Sequence, residues 1–227
     1  MLPSVLVDFD GTVVLEDTTD LILERFADPS WRAIETAWAE GRIGSRECLS
    51  RQIDLVQASD AEVDQLAEEA PVDPHFVEFV AACRGYGVQP VIGSDGFDRI
   101  ITRVLARVGV SLPVVSNRLI ASGRNRWRAE FPHFLSDCRS QSGNCKCTTI
   151  LAHSLPRLLI GDGRSDFCPC SHATLVFAKK ALAAHCRTSK IDHIEIVGFA
   201  DVVRALPTIM STQRRIDAAG GEARLHA

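Results

Sequence analysis

The chain has 227 residues, 46% of them hydrophobic and 24% charged, which is the make-up of a soluble globular protein with room for one core domain and a small insertion. Its formal net charge of −4 excludes the bulk basic field that nucleic-acid binding draws on. The opening MLPSVLVDFD has no basic n-region and no window reaches ~18 uninterrupted apolar residues, so a cytoplasmic protein without signal peptide or membrane span is expected.

Val5–Val7 reads as a strand that ends in Asp8-Phe9-Asp10-Gly11-Thr12. Two ionised carboxylates on a buried strand would be costly, so the strand is expected to stop at the sheet's edge and deliver both into a site. From Asp20 to Ala70 the pattern turns helical, in LILERFA, WRAIETAWAEG, SRECLSRQIDLV and SDAEVDQLAEEA. Gly41 and Gly44 break the run, and Ser59 with Glu62 has capping-box spacing. Asp73-Pro74 is expected to open the next helix, PHFVEFVAACRG, as N-cap and first-turn proline.

Short apolar strands then alternate with helices. VQPVI (88–92) is a predicted strand, FDRIITRVLARVG (97–109) a helix and LPVVS (112–116) a strand. NRLIAS (117–122) and RWRAEF (126–131) flank Gly123 and Asn125 as a predicted β-hairpin. CTTILAHSL, RLLIG, SDFCPCSHA, TLVFA and FADVVRAL follow as helix, strand, helix, strand and helix, before a polar tail from about Ser211 that is expected to fray. The alternation predicts an α/β fold, a doubly wound parallel sheet with a small inserted helical cap and a β-hairpin. The expected division is a core of residues 1–15 and 74–210, a cap of 16–73, and a flexible tail of 211–227.

Ligands of such sheets sit at the carboxyl ends of the parallel strands. There stand Asp8 and Asp10, then Ser94, Asp95 and Gly96 of GSDGF, then Asp162 and Asp166 of GDGRSD, with Lys146 ahead of the short helix before RLLIG. Four clustered carboxylates cannot all stay ionised without a cation, and oxygen ligands beside a phosphate suit Mg²⁺. Ser94 and the free N–H groups of the adjacent helix start form an expected anion site, and Lys146 adds a point charge. A cation site beside an anion site with an aspartate between them suits phosphoryl transfer through an acyl phosphate.

These four pieces, DFDGT, the serine of GSDGF, Lys146 and GDGRSD, resemble in kind and order the haloacid dehalogenase superfamily. The resemblance implies that Asp8 is the nucleophile, Asp10 the general acid and base, Ser94 the phosphate binder and Lys146 the lysine that steadies both. It implies a Mg²⁺ site of Asp8, Asp162, the backbone oxygen of Asp10, and Asp166 directly or through water. Phe9, Asp95 and Gly96 join Ser94 as expected substrate contacts. An aspartate at position 10 resembles the phosphatases and phosphomutases rather than the dehalogenases or ion pumps.

An insertion at this point of the chain is similar to the phosphoserine-phosphatase-like branch with a helical cap. Phe131-Pro132-His133, Cys145-Lys146 and KALAAHCR resemble the methionine-salvage enol-phosphate phosphatases. Asp17 replaces the cap-entry glutamate of phosphoserine phosphatases, Asp95 stands where they commonly carry glycine, and the cysteine run is thinned to Asn144-Cys145-Lys146-Cys147. The expected activity is therefore hydrolysis of a small phosphorylated metabolite, without nucleic-acid or membrane partners, as monomer or homodimer. A phosphotransferase or mutase, and a non-catalytic phosphate-binding protein, are the alternatives.

Other residues admit blander readings. Eight cysteines include Cys138, Cys145, Cys147, Cys168 and Cys170, whose close pairs are C-x-C rather than C-x2-C, so free thiols are expected over zinc or a disulfide. His133 reads as a surface or structural histidine, with substrate contact as the alternative. Trp31 and Trp38, seven apart, read as cap core. Arg118, Arg124, Arg126 and Arg128 read as a solvated strand edge rather than a phosphate or nucleic-acid contact.

Overall fold

The computed structural model describes residues 2–225, with side chains described as far as Thr212. Seven strands form one sheet in the order β4-β3-β2-β1-β5-β6-β7. They are β1 (Ser4–Val7), β2 (Val91–Phe97), β3 (Val114–Gly123), β4 (Arg126–Glu130), β5 (Arg157–Gly161), β6 (Leu175–Ala178) and β7 (His193–Glu195). All pairings are parallel except β3 with β4. The predicted strand 112–116 and the first arm of the hairpin are one continuous strand, and β7 was not anticipated in the polar stretch around His193.

Successive side chains of a strand point to opposite faces. Val5 and Val7 of β1, with Leu158 and Ile160 of β5, enter the larger core, whereas Leu6 and Leu159 enter the smaller one behind the sheet. Both faces are buried, so the inner strands read as continuous apolar runs. Over the larger face pack α5 (Phe76–Gly85), α6 (Asp98–Arg107) and α10 (Phe199–Leu225), where Phe76, Phe79 and Phe199 meet with ring centroids 4.8 to 6.5 Å apart. Helices α7 (Lys146–Leu151), α8 (Phe167–Cys170) and α9 (Lys180–Ser189) supply the other face. The tail expected from Ser211 has helical backbone as far as Leu225, and residues 226–227 lie outside the described residues.

Between β1 and β2 stand α1 (Thr18–Phe26), α2 (Trp31–Ala39), α3 (Ser45–Ile53) and α4 (Asp60–Glu69). The outgoing and returning chains pair at Val14 and Val72, a two-stranded stem below the insertion. The capping box of Ser59 and Glu62 opens α4 as expected. Asp73 does not cap α5, which begins at Phe76. Its carboxylate instead accepts the amides of His75 at 2.9 Å and Phe199 at 3.2 Å, tying the end of the stem to α10.

Two supports hold the insertion over the sheet. Arg99 of α6 grips Asp64 of α4 through Nε at 2.7 Å and Nη2 at 2.9 Å, with Asp60 and Arg103 joining the network. The hairpin supplies the second. Trp127, only 3% exposed, donates its indole N–H to the Ala58 carbonyl at 2.8 Å, and Asn125 accepts the Ala58 amide at 3.2 Å. The four hairpin arginines remain exposed on the edge of the sheet, so β4 presents charge to solvent while its one tryptophan carries the insertion. No helix among the described residues is long and apolar enough to cross a membrane.

Candidate active site

Strands β2, β1 and β5 are adjacent, and their carboxyl ends bring the sequence-predicted acids together. Asp8, 5% exposed, follows β1 directly, and its Oδ1 accepts the Phe9 amide at 2.8 Å and the Lys146 ammonium at 2.6 Å. Lys146, at the start of α7, also donates to Asp166 Oδ1 at 2.7 Å and to Ser165 Oγ at 2.9 Å. Asp166 is sealed from solvent, and its Oδ2 accepts the amides of Asp162 and Gly163 at 3.2 and 3.4 Å.

One ammonium thus faces two buried carboxylates, with a third beside them. Burial, then Asp166, push Asp8 well above the usual carboxylate range, while Lys146 pulls the other way. Burial alone would lower the Lys146 pKa, but Asp166 and Asp8 outweigh it and hold the ammonium above its usual value. Carboxylate oxygens of Asp8, Asp162 and Asp166 lie within 4.8 Å of one another. Glycine permits the approach. A Cβ on Gly11 would come within 2.1 Å of Asp162 Oδ2, and one on Gly161 within 2.2 Å of Asp166 Oδ2. Hard oxygen donors with surplus negative charge fit a divalent cation such as Mg²⁺.

Asp10 turns toward the insertion. Its Oδ1 accepts both the amide and the hydroxyl of Thr18, at 2.8 and 2.7 Å, and Ser94 Oγ donates to Oδ2 at 3.4 Å. Burial raises its pKa to about 7, aided by Asp17 and opposed by the Thr18 bonds. Ser94 Oγ accepts the Gly96 amide at 2.9 Å, and a Cβ on Gly96 would lie 2.5 Å from Asp10 Oδ2. Contrary to the expectation from GSDGF, Asp95 and Gly96 do not open a helix. The strand runs on to Phe97 with a bulge between Gly93 and Phe97, and α6 begins only at Asp98. The bulge re-aims Ser94 into the site.

Other residues expected there carry structural contacts, Asp95 while also lining the cleft. The Asp95 carboxylate accepts the Asn144 amide at 2.8 Å and Asn117 Nδ2 at 3.1 Å, and Asn144 Nδ2 reaches the carbonyls of Ser94 and Val115. Asp95 therefore fastens the 131–145 loop to β2 and β3. The Phe9 ring is wholly buried in the larger core, leaving only its backbone at the site. His133 is exposed, and its carbonyl accepts the Cys145 amide at 3.2 Å. All eight cysteines are free, and among the described residues the three aspartates are the only metal-ligating cluster of His, Cys, Asp or Glu. Trp31 is core, but Trp38 lines the cleft with the Arg164 guanidinium 4.8 Å over its ring.

Above the aspartates opens a cavity of about 1060 Å³, bounded by the β-strand ends below and by α1, α2 and α3 above. Three polar groups in or beside it escape a reading of the sequence. Thr18 holds Asp10, Lys180 donates to Asp162 Oδ2 at 2.8 Å from the rim, and Gln52 of α3 is 2% exposed in the roof. The segment carrying Lys180 is visible in KALAAHCR, but nothing local says that its ammonium turns back to residue 162.

Comparison with known proteins agrees with this geometry. Residues 5–169 match the haloacid dehalogenase-like hydrolase family. A 2-hydroxy-3-keto-5-methylthiopentenyl-1-phosphate phosphatase of Brevibacillus brevis is 30% identical over 89% of this chain and 94% of its own. A protein of the same name from Exiguobacterium sp. is 26% identical over 89% and 96%. A substrate-bound phosphoserine phosphatase superposes with a TM-score of 0.67, at 19% identity over 90% of this chain and 98% of that one, and so shares the fold. The chain belongs to the haloacid dehalogenase-like hydrolase family, as an enzyme of its phosphoric monoester hydrolase group.

Proposed function

We propose that the protein hydrolyses a small-molecule phosphomonoester through an aspartyl-phosphate on Asp8. The observation that carries this reading is the bridge by Lys146 between Asp8 and Asp166, with Asp10 held apart by Thr18 in a different electrostatic setting. Two aspartates two positions apart are thereby prepared for two tasks. Asp8 is oriented by the Phe9 amide and Lys146, whereas Asp10, raised to about 7, can hold a proton near neutrality.

In this reading a carboxylate oxygen of Asp8 attacks phosphorus as the ester P–O bond breaks, and Asp10 gives its proton to the departing oxygen. Asp10, now a carboxylate, takes a proton from the water that attacks the acyl phosphate, so inorganic phosphate leaves and Asp8 is restored. Ser94, with the Gly96 amide donating to its oxygen, would turn its hydroxyl proton from Asp10 Oδ2, at 3.4 Å, toward a phosphoryl oxygen. Asp8, Asp162, Asp166 and the backbone oxygen of Asp10 would hold Mg²⁺, which when bound supplies positive charge against the phosphoryl oxygens. Residues 16–73 serve as a cap that excludes bulk water from the reacting centre.

The enol phosphate named for the curated relatives falls within this substrate class. The test is release of phosphate from an aryl phosphate with Mg²⁺ by the wild type and Asp8→Asn. Turnover that survives in Asp8→Asn would remove the nucleophile and the reading with it. A phosphorylated alcohol product in place of free phosphate would convert the hydrolase into a phosphotransferase.

A further inference from the structure

Two groups that the proposed chemistry aims at one phosphoryl group come from different elements, the Ser94 hydroxyl from β2 and the Lys146 ammonium from the start of α7. Neither bonds the other. Lys146 donates to Asp8, Ser165 and Asp166, and Ser94 donates to Asp10. Their spacing is set by a side chain that faces away from the reaction. Asn144 is two positions ahead of Lys146 and 1% exposed, and its Nδ2 donates to the Ser94 carbonyl at 2.8 Å and to the Val115 carbonyl at 2.7 Å.

The point at which Asn144 meets the sheet accounts for an amide there. Strands β2 and β3 keep one register through Ile92 with Val114 and Gly93 with Val115, then shift before Phe97 with Asn117. That bulge re-aims Ser94 and interrupts the ladder. The Asn144 amide takes one carbonyl from each strand across the break, so it ties the sheet together where the bulge opens it. Turning the amide over would set its oxygen against both carbonyl oxygens, which fixes its orientation. Oδ1 has no partner among the described residues, so the side chain acts as a donor alone. The backbone beside it is held as well. The Asn144 N–H donates to Asp95 Oδ1 at 2.8 Å, and the Cys145 N–H to the His133 carbonyl at 3.2 Å. Gly143 lies so close to Asn117 that a Cβ would come within 2.8 Å of its amide. The chain entering α7 therefore follows Asn144, and Asn144 follows Ser94.

Resting on the phosphatase reading above, we propose that Asn144 is a positioning residue for phosphoryl transfer, which registers the Ser94 hydroxyl against the Lys146 ammonium so that both reach one phosphoryl group. Ser94 lines the cleft, whereas Asn144 stands behind that lining and acts through the groups it joins. Without its amide the serine is still present but is no longer held in step with the lysine. A displacement of about 1 Å at a reacting group costs about a hundredfold in rate.

A double-mutant cycle separates this role from a general loss of structure. The measurement is kcat/KM for an aryl phosphate with Mg²⁺ in the wild type, Asn144→Ala, Ser94→Ala and the double variant, each normalised to its folded fraction from near-ultraviolet circular dichroism. Asn144→Ala is expected to lose about tenfold to a hundredfold by itself, and less than about threefold in the Ser94→Ala background, since a hydroxyl that is gone cannot be misplaced. Orthophosphate affinity, read by calorimetry, should show the same non-additivity without turnover. Asn144→Ser, whose smaller side chain leaves room for water at the two carbonyls, takes the place of Asn144→Ala if the alanine variant does not fold. Equal factors in the two backgrounds, or failure of both variants to fold, would make Asn144 a structural residue and overturn the proposal, while hydrolysis by the wild type leaves the phosphatase standing. A wild type that hydrolyses no ester would remove the phosphatase reading, and this proposal with it.

Discussion

Lys146 and Asp8, 138 positions apart in the chain, meet at 2.6 Å with both side chains almost wholly buried. The same ammonium holds Asp166 at 2.7 Å, so one cation keeps two strand ends from repelling each other. Removing it leaves two buried carboxylates without their partner. Lys146→Met is expected to destabilise the metal-free protein by about 3–5 kcal/mol, the cost of breaking a buried ion pair. Urea denaturation in the presence of a chelator measures it, and a change within about 1 kcal/mol would show that the lysine is not holding the site together.

Added Mg²⁺ is expected to stabilise the wild type, because the cation relieves repulsion that exists only in the folded chain. At a hundred times its dissociation constant the gain would be about 2.7 kcal/mol. Asp162→Asn should lose most of the rise in melting temperature, and a chelator should abolish hydrolysis in the wild type. An identical thermal shift in wild type and Asp162→Asn would place the ion elsewhere.

Asp10 sets an expected pH limit on turnover. Its pKa is raised to about 7 by burial, with Asp17 adding to it, and the proposed first step requires the protonated form. The rate of leaving-group departure should therefore fall as pH rises through about 7. Asp10→Asn should lose that limb along with most of the activity. A single-turnover profile that is flat from acid to alkaline pH would deny Asp10 the role of acid.

Stability carries the same sign. Asp10 and Asp20 are both raised in the fold from the ordinary 3.8 to about 7, so the folded chain binds protons more tightly than the unfolded one. Their contribution is complete below about pH 4 and is lost as pH climbs through about 7. The metal-free protein should accordingly lose melting temperature over that interval, and Asp20→Asn should flatten part of the loss. A melting temperature of the Asp20→Asn protein that tracks the wild type throughout would show that Asp20 contributes nothing to it.

Trp127 joins the hairpin to the insertion. Trp127→Ala removes a buried ring and the bond to the Ala58 carbonyl, and is expected to cost about 3–5 kcal/mol of stability. Trp127→Phe, which keeps most of the ring but not the indole N–H, should cost less. Equal losses in the two variants, read by denaturant midpoint, would assign the whole effect to the hydrogen bond.

Much of the reacting centre was legible in the chain because its parts are local. An apolar strand that stops at an acid, as at Asp8 or Asp162, announces a strand end at a ligand site through burial cost alone, and the cap helices declare themselves by periodicity and by the Ser59–Glu62 box. What linear order could not supply were the partners. Whether Asp95 faces substrate or structure depends on Asn144, 49 positions away, and whether Trp38 is core or cleft depends on Arg164. Nor does a run of residues around 112–123 reveal that strand and hairpin arm are one element, since that is settled by pairing to β2 and β4. Residue type and spacing state which groups are costly to bury. Chain folding brings distant groups within a few ångströms, and at that range electrostatics and hydrogen bonding decide what each one does.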